Sequence, residues 1–115
     1  MSDLDQIEAA ARAAGYETRR YRVRELEVVH IGVGDQWALF DPRRSDVDAL
    51  RLMVDCRLNV GVGERRVTAT AYPGGVALTV IEDAGDNRAA ATRIAITRAA
   101  EALYLHRQAK EQAQW

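Results

Sequence analysis

Two segments of this chain can each open an amphipathic helix, DPRRSDVDALRL from Asp41 and DNRAAATRIAITRAAEAL from Asp86, and they bracket a stretch with the alternation of a β-hairpin. Both begin with residues whose short polar side chains bond the free N–H groups of a first helical turn, and both then become apolar at helical spacing. Helix, hairpin and helix in that order leave few ways to bury three apolar faces. The helices must lie on the sheet that the hairpin builds.

The rest of the chain supplies more elements of the same kind. Leu4, Ile7, Ala11 and Ala14 recur at helical spacing behind Ser2 or Asp3 as a cap, and Gly15 is placed to end that helix in a left-handed turn. From Tyr16 to Val33 the pattern is β, with Tyr21, Val23, Val29 and Ile31 on one parity and Leu26 and Val28 on the other. The slip near Glu25 indicates a bulge or two short strands. Gly32 and Gly34 then turn the chain into a second short β-like segment, Trp37, Leu39 and Phe40, ended by Asp41 and Pro42. Helix two runs from near Asp46 to about Arg57 behind Ser45, and Val47, Leu50, Val54 and Leu58 form its apolar stripe, widened by Ala49, Leu52, Met53 and Cys56. So wide a face predicts that the stripe is core.

After Gly61 to Gly63, Val67, Ala69 and Ala71 alternate with threonines as far as the turn Tyr72-Pro73-Gly74-Gly75. Val76, Leu78 and Val80 follow, with apolar residues on both parities, which predicts a central strand covered on both faces. The closing helix carries Ala89, Thr92, Ile96, Ala99 and Leu103; past Tyr104 the pattern fades, so residues 106–115 read as an exposed helical extension or frayed tail ending in Trp115. The expected fold is α+β: an α/β/α sandwich whose small, largely antiparallel sheet has helices on both faces, in the order α-β(β)-α-β-β-α. Residues 1–115 form a single domain with one core.

Hydrophobic residues at 48% and charged ones at 29% are the mix of a soluble globular protein. The net charge of −1 lacks the basic excess of a nucleic-acid binder. Arg19, Arg20, Arg22 and Arg24 make a basic run among Glu17, Glu25 and Glu27, and would matter to nucleic acid only by joining Arg43, Arg44, Arg65 and Arg66 in one patch. Cys56 is alone, so it forms no internal disulfide, points to a reducing compartment and reads as a buried, inert thiol. The opening MSDLDQ has no apolar run and nothing later is long enough to span a bilayer, so the expected location is cytoplasmic, away from membranes.

No motif carries chemistry. The two GVG segments complete neither dinucleotide nor nucleotide fingerprint and read as turns. Asp41, Asp46 and Asp48 read as capping residues, since the glycine and terminal glutamate of a calcium loop are missing. His30 and His106 lack companions at ligand spacing. Ser2 and Ser45 sit at helix starts, which argues against nucleophilic catalysis. Glu82, Asp83 and Asp86 are the one acidic loop that an acid–base pair would need. No catalytic, cofactor or metal residue is therefore assigned, and no cofactor is expected. HIGVGDQW and NVGVGERR resemble each other as matching turns between β segments.

The order of tryptophan, proline and helix resembles the small phage proteins grouped as the phage ABA-sandwich domain family. Pro42, Asp48, Ala49, Leu50, Arg51 and Leu52 match that family's first helical signature, and Asp86, Ala89, Ala90, Thr92, Arg93, Ile96, Arg98, Ala99 and Ala100 match its closing one. The resemblance runs from Trp37 to Leu103. It implies an α/β/α sandwich encoded by a phage or prophage, without catalytic residues to carry over. The expectation is thus a phage or prophage accessory protein of the host cytoplasm that acts by binding, as a homodimer or with an unidentified protein partner. The alternatives are a virion component or assembly factor, and a small enzyme using the acidic loop near Asp83.

Overall fold

The computed structural model describes residues 2–113, and these form an α+β sandwich of three helices and two three-stranded antiparallel sheets. Helix α1 (Asp3–Ala13) leads into β1 (Thr18–Val23), β2 (Leu26–Val33) and β3 (Gln36–Leu39). Helix α2 (Asp46–Asp55) leads into β4 (Asn59–Val62), β5 (Arg66–Ala71) and β6 (Leu78–Asp83), and α3 (Arg88–Ala113) closes the chain. Where one sheet is expected there are two, because β1, β2 and β3 pair only among themselves and β4, β5 and β6 only among themselves. Each sheet is a simple meander, in the orders β1-β2-β3 and β4-β5-β6. Helix α1 packs on the N-terminal sheet, α3 packs on the C-terminal sheet, and the two helices pack on each other.

The helix ends follow from local chemistry. The Ser2 hydroxyl accepts the Asp5 N–H at 3.2 Å while the Asp5 carboxylate accepts the Ser2 N–H, a closed capping box. Ser45 accepts the Asp48 N–H at 3.2 Å in the same way at α2. Asn87 accepts the Ala90 N–H at 3.0 Å at the start of α3. Helices α1 and α2 close alike: the N–H of Tyr16 donates to the Ala11 carbonyl, and that of Leu58 to the Met53 carbonyl, both at 3.0 Å. Gly15 supplies the left-handed residue in the first case and Arg57, at φ 55°, in the second.

An α-β-β-β unit therefore occurs twice before α3. HIGVGDQW spans the β2–β3 turn, whereas NVGVGERR spans the β4–β5 turn, so the like segments occupy different places in the repeated unit. They are alike as hairpin turns.

The core is a cluster of small and branched apolar side chains shared by both halves, with Phe40, Ile31, Leu52, Val29 and Val67 almost fully enclosed. Thr97, also enclosed, donates its hydroxyl to the Arg93 carbonyl at 2.8 Å and so leaves no stranded polar group. On β6 the expected central position does not hold: β5 is central, β6 pairs only with it, and Ile81 is exposed.

The larger correction concerns α2. Leu52 and Ala49 are buried against the rest of the molecule, but Val47, Leu50 and Val54 are 67%, 57% and 59% exposed. Helix α2 packs on α3 rather than across a sheet, and one helix covers only a narrow face of another. Leu52→Ala should cost about 2–5 kcal/mol. Leu50→Ala, at protein concentrations low enough to keep the chain dispersed, should stay within about 0.5 kcal/mol. Denaturant melts of the two variants check this, and equal losses would contradict the packing.

Candidate functional site

The outward stripe of α2 is set by two carboxylates on either side of Val47. Asp46 reaches Arg93 of α3 at 2.7 Å, and Asp48 accepts the backbone N–H of Asp41 at 2.9 Å. Arg93 also donates to the Arg43 carbonyl at 3.1 Å, tying the loop before α2 to α3. With both neighbours bonded to the rest of the molecule, Val47 faces out, and Leu50 and Val54 follow it at helical spacing. Beside the stripe lies a shallow apolar groove of about 420 Å³, lined by Leu50, Met53, Val60, Val62 and Ile96 and bounded by Arg93.

A second open face lies on the N-terminal sheet. Tyr21 pairs with Val28, Val23 with Leu26, and Gly32 with Trp37, so these side chains share the face that α1 does not cover. Leu26 is 72% exposed, and Val23 and Leu39 are exposed beside it. Trp37 is half-buried beneath the Arg19 guanidinium, which stands 4.3 Å from its ring centroid. Tyr21 meets His30 edge to face at 4.5 Å. The parity reading separated Tyr21 and Val23 from Leu26 and Val28. A two-residue turn at Arg24-Glu25 restores them to one face, since it joins an odd and an even position directly across the ladder.

The basic run does not make a patch. Arg19 lies on the open face of the sheet, while Arg20, on the opposite parity, reaches Asp5 at 2.5 Å and Glu8 at 3.3 Å on α1. Arg20 and the Ser2 contacts hold the Asp5 carboxyl below its ordinary range. Arg43 and Arg44 are drawn toward Asp3 and Asp41.

The remaining sequence candidates are accounted for by local structure. Asp46 and Asp48 clamp α2, as described. Ser2 and Ser45 are capping residues. His30 lies on the N-terminal sheet and His106 on the last part of α3, and among the described residues no group of metal-binding side chains is assembled. Gly34 takes the left-handed conformation in its turn, and Gly63 lies so close to the Arg66 carbonyl that an added Cβ would meet it at 2.9 Å. The GVG glycines thus serve hairpins. Glu82 pairs with Arg98 on the covered face of β6, whereas Asp83, the next residue, points the other way, so the acidic loop does not bring two carboxylates together. No described helix is long and apolar enough to cross a membrane. Trp115 lies outside the described residues.

Cys56 is buried at the end of α2, and burial pushes its thiol up to about 11 against the opposing pull of Arg107. Tyr16 is raised by burial and by its hydrogen bond to Asp55. No protein-family model, curated protein or solved structure matches this chain.

Both raised groups hold their protons longer in the folded chain than in the unfolded one. The stability that Cys56 contributes is complete below the ordinary thiol pKa of about 8.5 and is lost as pH rises toward 11, while that of Tyr16 is lost only as pH rises above the ordinary phenol value of about 10. At pH 7 the native thiol should react with an aqueous thiol reagent about a hundredfold or more slower than the unfolded thiol. Equal rates in native buffer and in denaturant would show that Cys56 is accessible.

Proposed function

We propose that this chain is a phage or prophage accessory protein of the bacterial cytoplasm that works by binding, as a homodimer joined through the outward stripe of α2. The observation that carries the binding reading is the set of large apolar side chains, Val47, Leu50 and Val54, held in water by a helix whose opposite face is anchored. The stripe is symmetric about Leu50. Two copies set antiparallel about a two-fold axis would lay Val47 of one against Val54 of the other. Val60 and Val62 on the neighbouring strand extend the contact beyond the helix. The phage assignment rests on the resemblance carried by residues 37–103.

The open face of the N-terminal sheet favours a second reading, a virion component or assembly factor. Tyr21, Val23, Leu26 and Leu39 would take a protein partner while α2 holds the dimer. Tyr104, by contrast, packs against the core and offers little to a partner.

Sedimentation of the full chain at micromolar concentration should give twice the 12.8 kDa chain mass. Leu50→Glu should give the monomer with an unchanged circular dichroism spectrum. A dimer indifferent to Leu50→Glu but lost on truncation after Tyr104 would move the contact to the end of α3 and overturn the α2 reading.

A further inference from the structure

Beyond the C-terminal end of α2, three elements converge on a groove of about 550 Å³: the end of α2 at Arg57, the turn Tyr72-Pro73-Gly74, and the last turns of α3 at His106, Arg107 and Lys110. Its lining holds three permanent cations and a histidine and no carboxylate. That is unusual here, since the chain carries a net charge of −1 and Arg20, Arg43, Arg93 and Arg98 are all paired with acids.

The cations are differently committed. Arg107 donates one guanidinium N–H to the Ala13 carbonyl at 2.9 Å, closing the end of α1, and keeps its other donors. Arg57 and Lys110 enter no ion pair or side-chain hydrogen bond among the described residues. Lys110 lies over the turn, its Nζ 3.4 Å from where a Cβ on Gly74 would stand. Arg57 occupies a left-handed position that glycine fills in α1. His106 Nε2 is closed off from solvent with no hydrogen-bond partner. Tyr72 is exposed at the rim, a flat apolar ring beside the charges.

We propose that this groove binds a small organic phosphate of nucleotide size, its phosphates held by Arg57 and Lys110 with Arg107 behind them, and a planar group laid on Tyr72. The volume suits such a ligand. Uncompensated cations converging from three elements favour a multiply charged anion over a single carboxylate. The exposed tyrosine favours a ligand with a ring over an inorganic ion.

Calorimetric titration of the full chain in low salt with adenosine diphosphate, inorganic pyrophosphate and adenosine tests this. The diphosphate should bind with a dissociation constant below about 1 mM and pyrophosphate more weakly, while adenosine gives no saturable signal. The double variant Arg57→Ala, Lys110→Ala should weaken both phosphates about tenfold or more. Tyr72→Ala should weaken the nucleotide and leave pyrophosphate unchanged. All three positions are exposed, so circular dichroism should show the wild-type fold. Three results would overturn the proposal: no binding of either phosphate at millimolar concentration, binding unaffected by the double variant, or adenosine binding as tightly as its diphosphate.

Discussion

The close approach of α1 and α3 through alanine joins the two halves of this molecule, because each sheet reaches the shared core through one of these helices. Ala10 and Ala11 on α1 and Ala95, Ala99 and Ala100 on α3 have no exposed surface. A side chain of one carbon removes little apolar area, but it lets neighbouring backbones pack without a gap, where dispersion contacts are densest. Polar side chains then close the seam: Gln6 donates to Glu101 at 3.2 Å and accepts from Arg43 of the loop before α2. One loop thereby touches α1 and, through its own carbonyl, α3.

Helix α2 depends on that seam rather than on a sheet. Its rotation is fixed by Asp46 on Arg93 and Asp48 on the Asp41 N–H, and the helix can bury only the side that faces α3. Ala49, Leu52 and Cys56 occupy it. The larger residues Val47, Leu50 and Val54 are left outside, which inverts the usual arrangement for a helix of this composition. An apolar stripe opposite an anchored face is the strongest feature that the fold leaves without a partner.

Much of this is legible in the sequence. Ser2, Ser45 and Gly15 marked helix ends because capping is decided within one turn of chain, and the Tyr72 to Gly75 turn marked its hairpin for the same reason. What lay hidden was set by contacts remote in sequence. Helix α2 is apolar on several sides, so periodicity could not say which side meets α3; that choice is made by Arg93, far along the chain. The shared face of Tyr21, Val23, Leu26 and Val28 was concealed by a tight turn that exchanges odd and even positions. The basic groove was concealed more deeply, since Arg57, Tyr72 and Lys110 come from three segments and follow no spacing rule.

The open sheet face lies on β1, β2 and β3, so a dimer through α2 would leave it free in each copy, while the basic groove meets α2 only at its last residues. A single reporter tests that geometry. If two copies of α2 meet antiparallel, residue 50 of each lies beside the two-fold axis, and a Leu50→Cys variant under mild oxidation should convert almost entirely to a disulfide-linked dimer. A Thr79→Cys control, exposed on the C-terminal sheet, should form no cross-link under the same conditions. Failure of the residue-50 thiols to cross-link, or cross-linking no faster than the control, would contradict the claim that α2 is the interface between copies.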